Sequence, residues 1–98
     1  MTVYVVALIH IHDRKTYGHY EAGFMEIFSR YQGRMLAVDE DPVTLEGEWP
    51  YTRTVLIEFP NRQAQDAWYS SVDYQGLMQH RTAASVASIA VLNALPGT

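Results

Sequence analysis

Cysteine is absent from the 98 residues of this chain, which excludes thiol nucleophiles, thiolate zinc sites and disulfide staples together. Long apolar runs are absent too. The longest near the start, Val3 to Ile9, has seven residues, against the ~20 that a membrane-spanning helix needs. No basic stretch with a following small-residue cleavage site opens the chain, so no secretory leader is expected. Positive charge is scarce: seven Lys and Arg against eleven Asp and Glu give a net charge of −4. That balance argues against nucleic acid or a membrane surface as a partner. Repeats, linkers and low-complexity segments are missing. So are Gly-x-Ser-x-Gly, the phosphate loop, the dinucleotide fingerprint and His-Glu-x-x-His. What remains is 48% hydrophobic and 18% charged, the balance of a folded globule and not of a disordered tail. One domain over 1–98, cytoplasmic, is expected.

Periodicity orders the elements. Val3 to Ile11 alternates as a strand with Val3, Val5, Ala7, Ile9 and Ile11 on one face, and Tyr4, Val6, Leu8, His10 and His12 on the other. Both faces are mostly apolar, which suits a strand covered on both sides. Asp13 stands where a helix N-cap belongs. Tyr17, Tyr20, Phe24, Ile27, Phe28 and Tyr31 then recur at three- and four-residue steps, and Gly33 closes the helix as a C′ residue. Close backbone packing would account for Gly18 and Gly23 inside it. Arg34 to Val38 reads as a second strand, Asp39 to Pro42 as a turn, and Val43 to Glu46 as a short hairpin arm. Gly47 to Thr52 is an aromatic-bearing loop, and Arg53 to Phe59 a third strand. Pro60 stops that strand, and Asn61 caps a helix through Tyr69 with Ala64, Ala67 and Trp68 inward. Ser71 or Asp73 caps another helix through Arg81. Val86 to Leu95 is the last strand, and Pro96-Gly97-Thr98 a tail. The order β-α-β-β-α-β is the split pattern of a ferredoxin-like α+β fold.

The run Glu46-Gly47-Glu48-Trp49-Pro50, the segment Val55-Leu56-Ile57-Glu58-Phe59-Pro60, then Ala67-Trp68-Tyr69-Ser70-Ser71, Tyr74-Gln75 and Arg81 together resemble a large bacterial family of short proteins. Asp13, Tyr17, Tyr20 and the Tyr31-Gln32-Gly33-Arg34 corner fit as well. The family carries a domain-of-unknown-function label within the dimeric α+β barrel superfamily, and the resemblance spans nearly the whole chain. It implies an antiparallel four-stranded sheet with helices on one face, packed against a second subunit's sheet to form a barrel. It implies no particular reaction: superfamily relatives include cofactor-free monooxygenases, polyketide cyclases, lactone isomerases and haem enzymes. Composition leads independently to a homodimer. Two helices cover one sheet face only, yet both faces of the first strand are apolar, so a second copy of the sheet supplies the missing cover.

Candidate chemistry lies where polar residues interrupt apolar patterns. Tyr74, Leu77, Met78 and Arg81 form one continuous helical face. A guanidinium there cannot lose its proton and is costly to bury without an anion. That anion is a ligand carboxylate or enolate, or else Glu46 or Glu58 in a structural ion pair. With the first and third strands as parallel central neighbours, His10 and Glu58 fall near the same strand ends and side by side. A carboxylate there would orient the imidazole for acid–base work, or merely fix register. His10, Glu58 and Arg81 are therefore the catalytic candidates. His10-x-His12 has a chelating spacing, with Asp13 next and Glu58 or His80 as a third ligand, but a pair alone is a weak signal. The family that the chain resembles usually has a small polar residue at His12. No metal and no cofactor are expected.

Trp49, Trp68, Tyr69 and Tyr74, with Arg81, are the candidate lining of a ligand pocket. Tyr17, Phe24 and Phe28 read as core. Trp49 is distinctive because a loop tryptophan has to cover something, a pocket mouth or a partner. Arg34 and Arg53 open strands that should lie side by side, with Glu46 or Glu48 between them in a surface network. Two function classes follow. One is a homodimer that binds or transforms a small apolar or aromatic acid near Arg81. The other is a non-catalytic structural or interaction homodimer with Arg81 and Glu58 in internal ion pairs.

Overall fold

The computed structural model describes residues 1–97, so Thr98 of the expected tail lies outside the described residues. Four strands form one antiparallel sheet in the order β2-β3-β1-β4: β1 (Val3–Ile11), β2 (Arg34–Asp39), β3 (Arg53–Phe59) and β4 (Ser85–Asn93). Helix α1 (Arg14–Phe28) follows β1, and α2 (Arg62–Tyr69) and α3 (Val72–Ala84) bridge β3 to β4. This is the ferredoxin-like βαββαβ arrangement, with its second helix broken in two. The break is chemical. Ser71 has an extended backbone, its hydroxyl accepts from the Tyr74 N–H, and it donates to the Trp68 carbonyl. One side chain thereby ends α2 and caps α3. Asp13 and Asn61 cap α1 and α2 through the N–H groups of Thr16 and Ala64. Among the described residues, no helix is long and apolar enough to cross a membrane.

Alternation along β1 and β3 decides the layers. Val3, Val5, Ala7, Ile9 and Ile11 are buried, as are Val55, Ile57 and Phe59; they share the face on which the helices lie. Opposite register partners Val6 and Leu56, Tyr4 and Leu92, and His10 and Val86 occupy the other face. That face is largely apolar and uncovered in this chain, with Val86 69% and Leu92 48% exposed. The Cα envelope measures 36 × 36 × 16 Å, the thickness of one helical layer on one sheet.

Several expectations are corrected. β1 and β3 run antiparallel, with Tyr4 opposite Glu58, because the α1 crossover returns β2 in the direction of β1, and the chain then reverses from β2 into its antiparallel neighbour β3, which lies between them. Residues 43–46 form no strand arm; the chain from Glu40 to Tyr51 is irregular. Helix α1 ends at Phe28 with Ser29 as its cap, and Gly33 does not take the positive φ of a C′ residue. Glycine is needed there for space: a Cβ would sit 2.5 Å from the Phe28 ring and 2.7 Å from the Phe59 ring. Gly23 likewise lets Leu77 of α3 approach, whereas a Cβ at Gly18 would meet nothing within 4 Å. In α2, Gln65 is buried in place of Ala67, which is exposed. Arg34 lies across from Glu58 and pairs with it at 3.1 Å, at the far end of the ladder from Arg53.

Candidate functional site

The buried face of the sheet and the three helices leave a cavity of about 180 Å3 between them. Its apolar wall comes from Val5, Ala7, Ile9, Val55, Ile57 and Phe24. Glu21 and Met25 on the exposed side of α1 also line it, so it reaches solvent beside that helix. The volume is several times the ~30 Å3 share of one water and close to the ~150 Å3 that accommodates benzene, though below the ~300 Å3 of drug-sized sites. It suits a body of about one ring.

Local periodicity delivers the polar groups. Tyr17, Tyr20 and Phe24 stand at i, i+3 and i+7 on α1, and Tyr74 and Arg81 are seven residues apart on α3, so each set shares one helical face. Where those faces meet, the Tyr20 and Tyr74 hydroxyls are 2.8 Å apart. The Arg81 guanidinium carbon lies 5.8 Å from the centre of the Tyr20 ring, and that of Arg53 lies 5.8 Å from the centre of the Tyr17 ring. The two rings are 5.5 Å from each other. Each cation therefore rests on an aromatic face, which offsets part of its lost hydration.

The two arginines differ in what neutralises them. Arg53 has Glu21 at 3.4 Å and Glu40 at 3.5 Å, and Glu40 also binds Arg14 at 2.7 Å. Arg14 holds the Glu40 carboxyl below its usual range, chiefly through that hydrogen bond. Arg81, only 6% exposed, pairs with no carboxylate among the described residues. Neither partner expected from the sequence reaches it: Glu58 is on the opposite sheet face with Arg34, and Glu46 is exposed in the loop. A buried cation without a counter-ion is expensive to keep. Moreover, among the described residues the buried side-chain donors without a hydrogen-bond partner are Arg53 Nε, Trp68 Nε1 and Arg81 Nε, and all three residues line this cavity. Unspent donors of that kind call for acceptor atoms.

Burial sets the state of the hydroxyls. It pushes Tyr20 well above the ordinary tyrosine range and raises Tyr74 as well, the Tyr20 group further raised by its neighbour Tyr74, while the Arg81 charge opposes the shift in both. Burial raises Tyr17 too, against the pull of Arg53. All three are neutral hydroxyls at physiological pH and so remain able to donate. Neutral hydroxyls beside a guanidinium can donate to a carboxylate or an enolate oxygen.

Of the residues singled out in the sequence, Trp68, Tyr69, Tyr74 and Arg81 line the cavity. His10, Glu58 and Trp49 do not. His10 and Glu58 are at opposite ends of antiparallel strands, since Glu58 faces Tyr4, six residues and about 20 Å along β1 from His10. His10 is exposed, with Nδ1 3.0 Å from the Pro50 carbonyl, and His12 is exposed as well. Trp49 covers Tyr51 edge-on, at 5.4 Å, and donates to Thr54 Oγ1. It is 40% exposed. Sequence reasoning left out Arg53, Tyr17, Tyr20 and Glu21 as site residues. Arg53 had a legible signal: it shares odd parity with Val55, Ile57 and Phe59, so strand alternation points it inward.

Residues 2–95 match the model of a family described as a domain of unknown function (DUF1330). No curated protein matches the chain in a sequence search. Among solved structures, the chain is similar to a protein of unknown function from Rhodopseudomonas palustris, at 18% identity over 96% of this chain and 82% of that one, with TM-score 0.81. It is similar to SnoaB, a cofactor-independent oxygenase from Streptomyces nogalater, at 12% identity over 96% and 93% of the two chains, TM-score 0.72. It is also similar to a dimeric ferredoxin-like protein of unknown function from Jannaschia sp. CCS1, at 12% identity over 96% and 100%, TM-score 0.71. Likeness at these identities establishes the fold and carries no side-chain chemistry across.

Proposed function

We propose, for a chain that belongs to the DUF1330 family of domains of unknown function, that the cavity binds a small organic acid with an aromatic or compact aliphatic body. The observation that carries this reading is Arg81, a buried guanidinium that lines an open cavity and pairs with no carboxylate among the described residues. The acid's anionic oxygen takes hydrogen bonds from Arg81 and from the Tyr20–Tyr74 hydroxyl pair. Its apolar body lies among Phe24, Val55, Ile57 and Trp68. The same donors would also hold the anionic oxygen of a ligand that arrives as an enolate. The working unit is a homodimer, a reading supported by the uncovered apolar sheet face and by fold relatives described as dimeric.

Benzoate and phenylacetate titrations test the site. Both acids should raise the melting temperature of the native chain in proportion to the logarithm of their concentration. Arg81→Met should fold and lose that shift, while benzyl alcohol, which has no carboxylate, should give none with either chain. A benzoate shift that survives in Arg81→Met would sink the assignment.

A further inference from the structure

Among the described residues, one carboxylate lines the proposed acid site, at its mouth. Glu21 lines the cavity from the exposed side of α1, and its Oε2 lies 3.4 Å from Arg53 Nη1. Arg53 Nη1 is also 3.5 Å from Glu40, which Arg14 holds at 2.7 Å. Among the described residues, the linked charges at the mouth are thus two guanidiniums, Arg14 and Arg53, and two carboxylates, Glu21 and Glu40, which balance; Arg81 stands outside that network. One positive charge is left over, and it belongs to Arg81, more deeply buried than Arg14 or Arg53.

A ligand with one negative charge balances that excess. A second charge would have to stand against Glu21 or displace it from Arg53, where partial desolvation strengthens like-charge repulsion. A second polar group without charge meets no such barrier. Arg53 and Trp68, which line the cavity, each keep a buried donor with no partner, Nε and Nε1, and a keto, amide or ether oxygen that reaches them would satisfy them. Resting on the acid-binding reading above, we infer that Glu21 is the specificity-determining residue that restricts the site to monoanionic acids, favouring those whose second polar group is an uncharged oxygen acceptor. Specificity here comes from a repulsive element at the entrance as well as an attractive one at the base.

Two ligands of one size and shape isolate the charge: 3-carbamoylbenzoate and isophthalate, measured by calorimetry beside benzoate. The native chain should bind benzoate and 3-carbamoylbenzoate, and isophthalate at least about tenfold more weakly, the effect of ~1.4 kcal/mol of repulsion. Glu21→Gln and Glu21→Ala should each bring the two ligands to comparable affinity. Glu26→Gln removes the same charge from the same helix outside the cavity and should keep the discrimination. Equal binding of both ligands by the native chain overturns the inference, as does discrimination untouched by both Glu21 variants or equally lost in Glu26→Gln. Binding of benzoate without 3-carbamoylbenzoate overturns it too, because the mouth then admits no second group. Absence of benzoate binding removes the acid-binding reading itself and the inference with it.

Discussion

The hydroxyls of Tyr20 and Tyr74 meet at 2.8 Å inside the protein, although 54 positions separate them in the chain. Their rings cross nearly edge to face at 72°, so the contact locks α1 against α3 as well as satisfying two buried polar groups. Removing one hydroxyl, as Tyr20→Phe or Tyr74→Phe, should cost about 1–2 kcal/mol, because the remaining hydroxyl stays buried without its partner. The double variant should be less destabilised than the sum of the singles. Urea unfolding of the four chains measures the coupling, and strict additivity would show that the pair acts as two separate side chains.

The same burial predicts alkaline behaviour. Tyr17, Tyr20 and Tyr74 have raised values when folded, while in the unfolded chain tyrosines ionise near ~10. Above that pH the unfolded state binds fewer protons than the folded one, so stability falls as pH rises. The contribution is fully present below about pH 10 and drains away above it. Tyrosinate absorbance should therefore fall short of all seven tyrosines until the chain unfolds. Complete ionisation of a still-folded chain near pH 10 would contradict the burial of these three.

Arg81→Met separates a ligand role from a structural one through stability alone. Breaking a buried ion pair costs about 3–5 kcal/mol, since it strands the other charge. Here no carboxylate would be stranded, and a buried unpaired cation is replaced by an apolar chain of similar length. Thermal unfolding should show the variant as stable as the native chain or more so, the usual signature of a site kept for function. A loss within the ion-pair range, recovered by Glu58→Gln, would assign the residue to internal pairing.

Glycine positions offer a contrast within one short stretch. Gly33→Ala drives a methyl into the Phe28 and Phe59 rings and should cost about 1–3 kcal/mol as overpacking. Gly18→Ala adds a methyl in open space inside α1 and should gain about 0.5–1 kcal/mol of helix propensity. Opposite signs in the two melting shifts are expected. A stabilising Gly33→Ala would mean that the α1–β2 corner relaxes freely.

The uncovered sheet face predicts an assembly. Tyr4, Val6, Leu8 and Leu56, with the exposed Leu92, should pair with the same face of a second copy and bury at least about 1,200 Å2 in total. Light scattering should give twice the chain mass at micromolar concentration. Val6→Glu should lower that mass, placing a charge at the centre of the patch. A native chain that is monomeric and fully folded under those conditions would remove the case for the dimer.

Sequence by itself determined the elements and the faces. Alternation and helical period are local properties of neighbouring residues, so β1 and β3 came out with their bounds, Asn61 and Asp13 were legible as caps, the third cap was narrowed to Ser71 or Asp73, of which the structure uses Ser71, and Arg81 stood out as a charge on the Tyr74 stripe. Tertiary structure decided what those faces meet. Strand direction in the sheet depends on connections across tens of residues, and it separated His10 from Glu58 and joined Glu58 to Arg34. Trp49 lay on a loop, where no period constrains direction, and it turned onto Tyr51. The cavity is likewise invisible in one dimension, because it is the volume that α1, α3 and the sheet fail to fill when their side chains pack. Only in that packing do Tyr20, Tyr74, Arg53 and Arg81 share a wall, and only there does Arg81 turn out to lack the carboxylate that every other arginine close to the cavity has found.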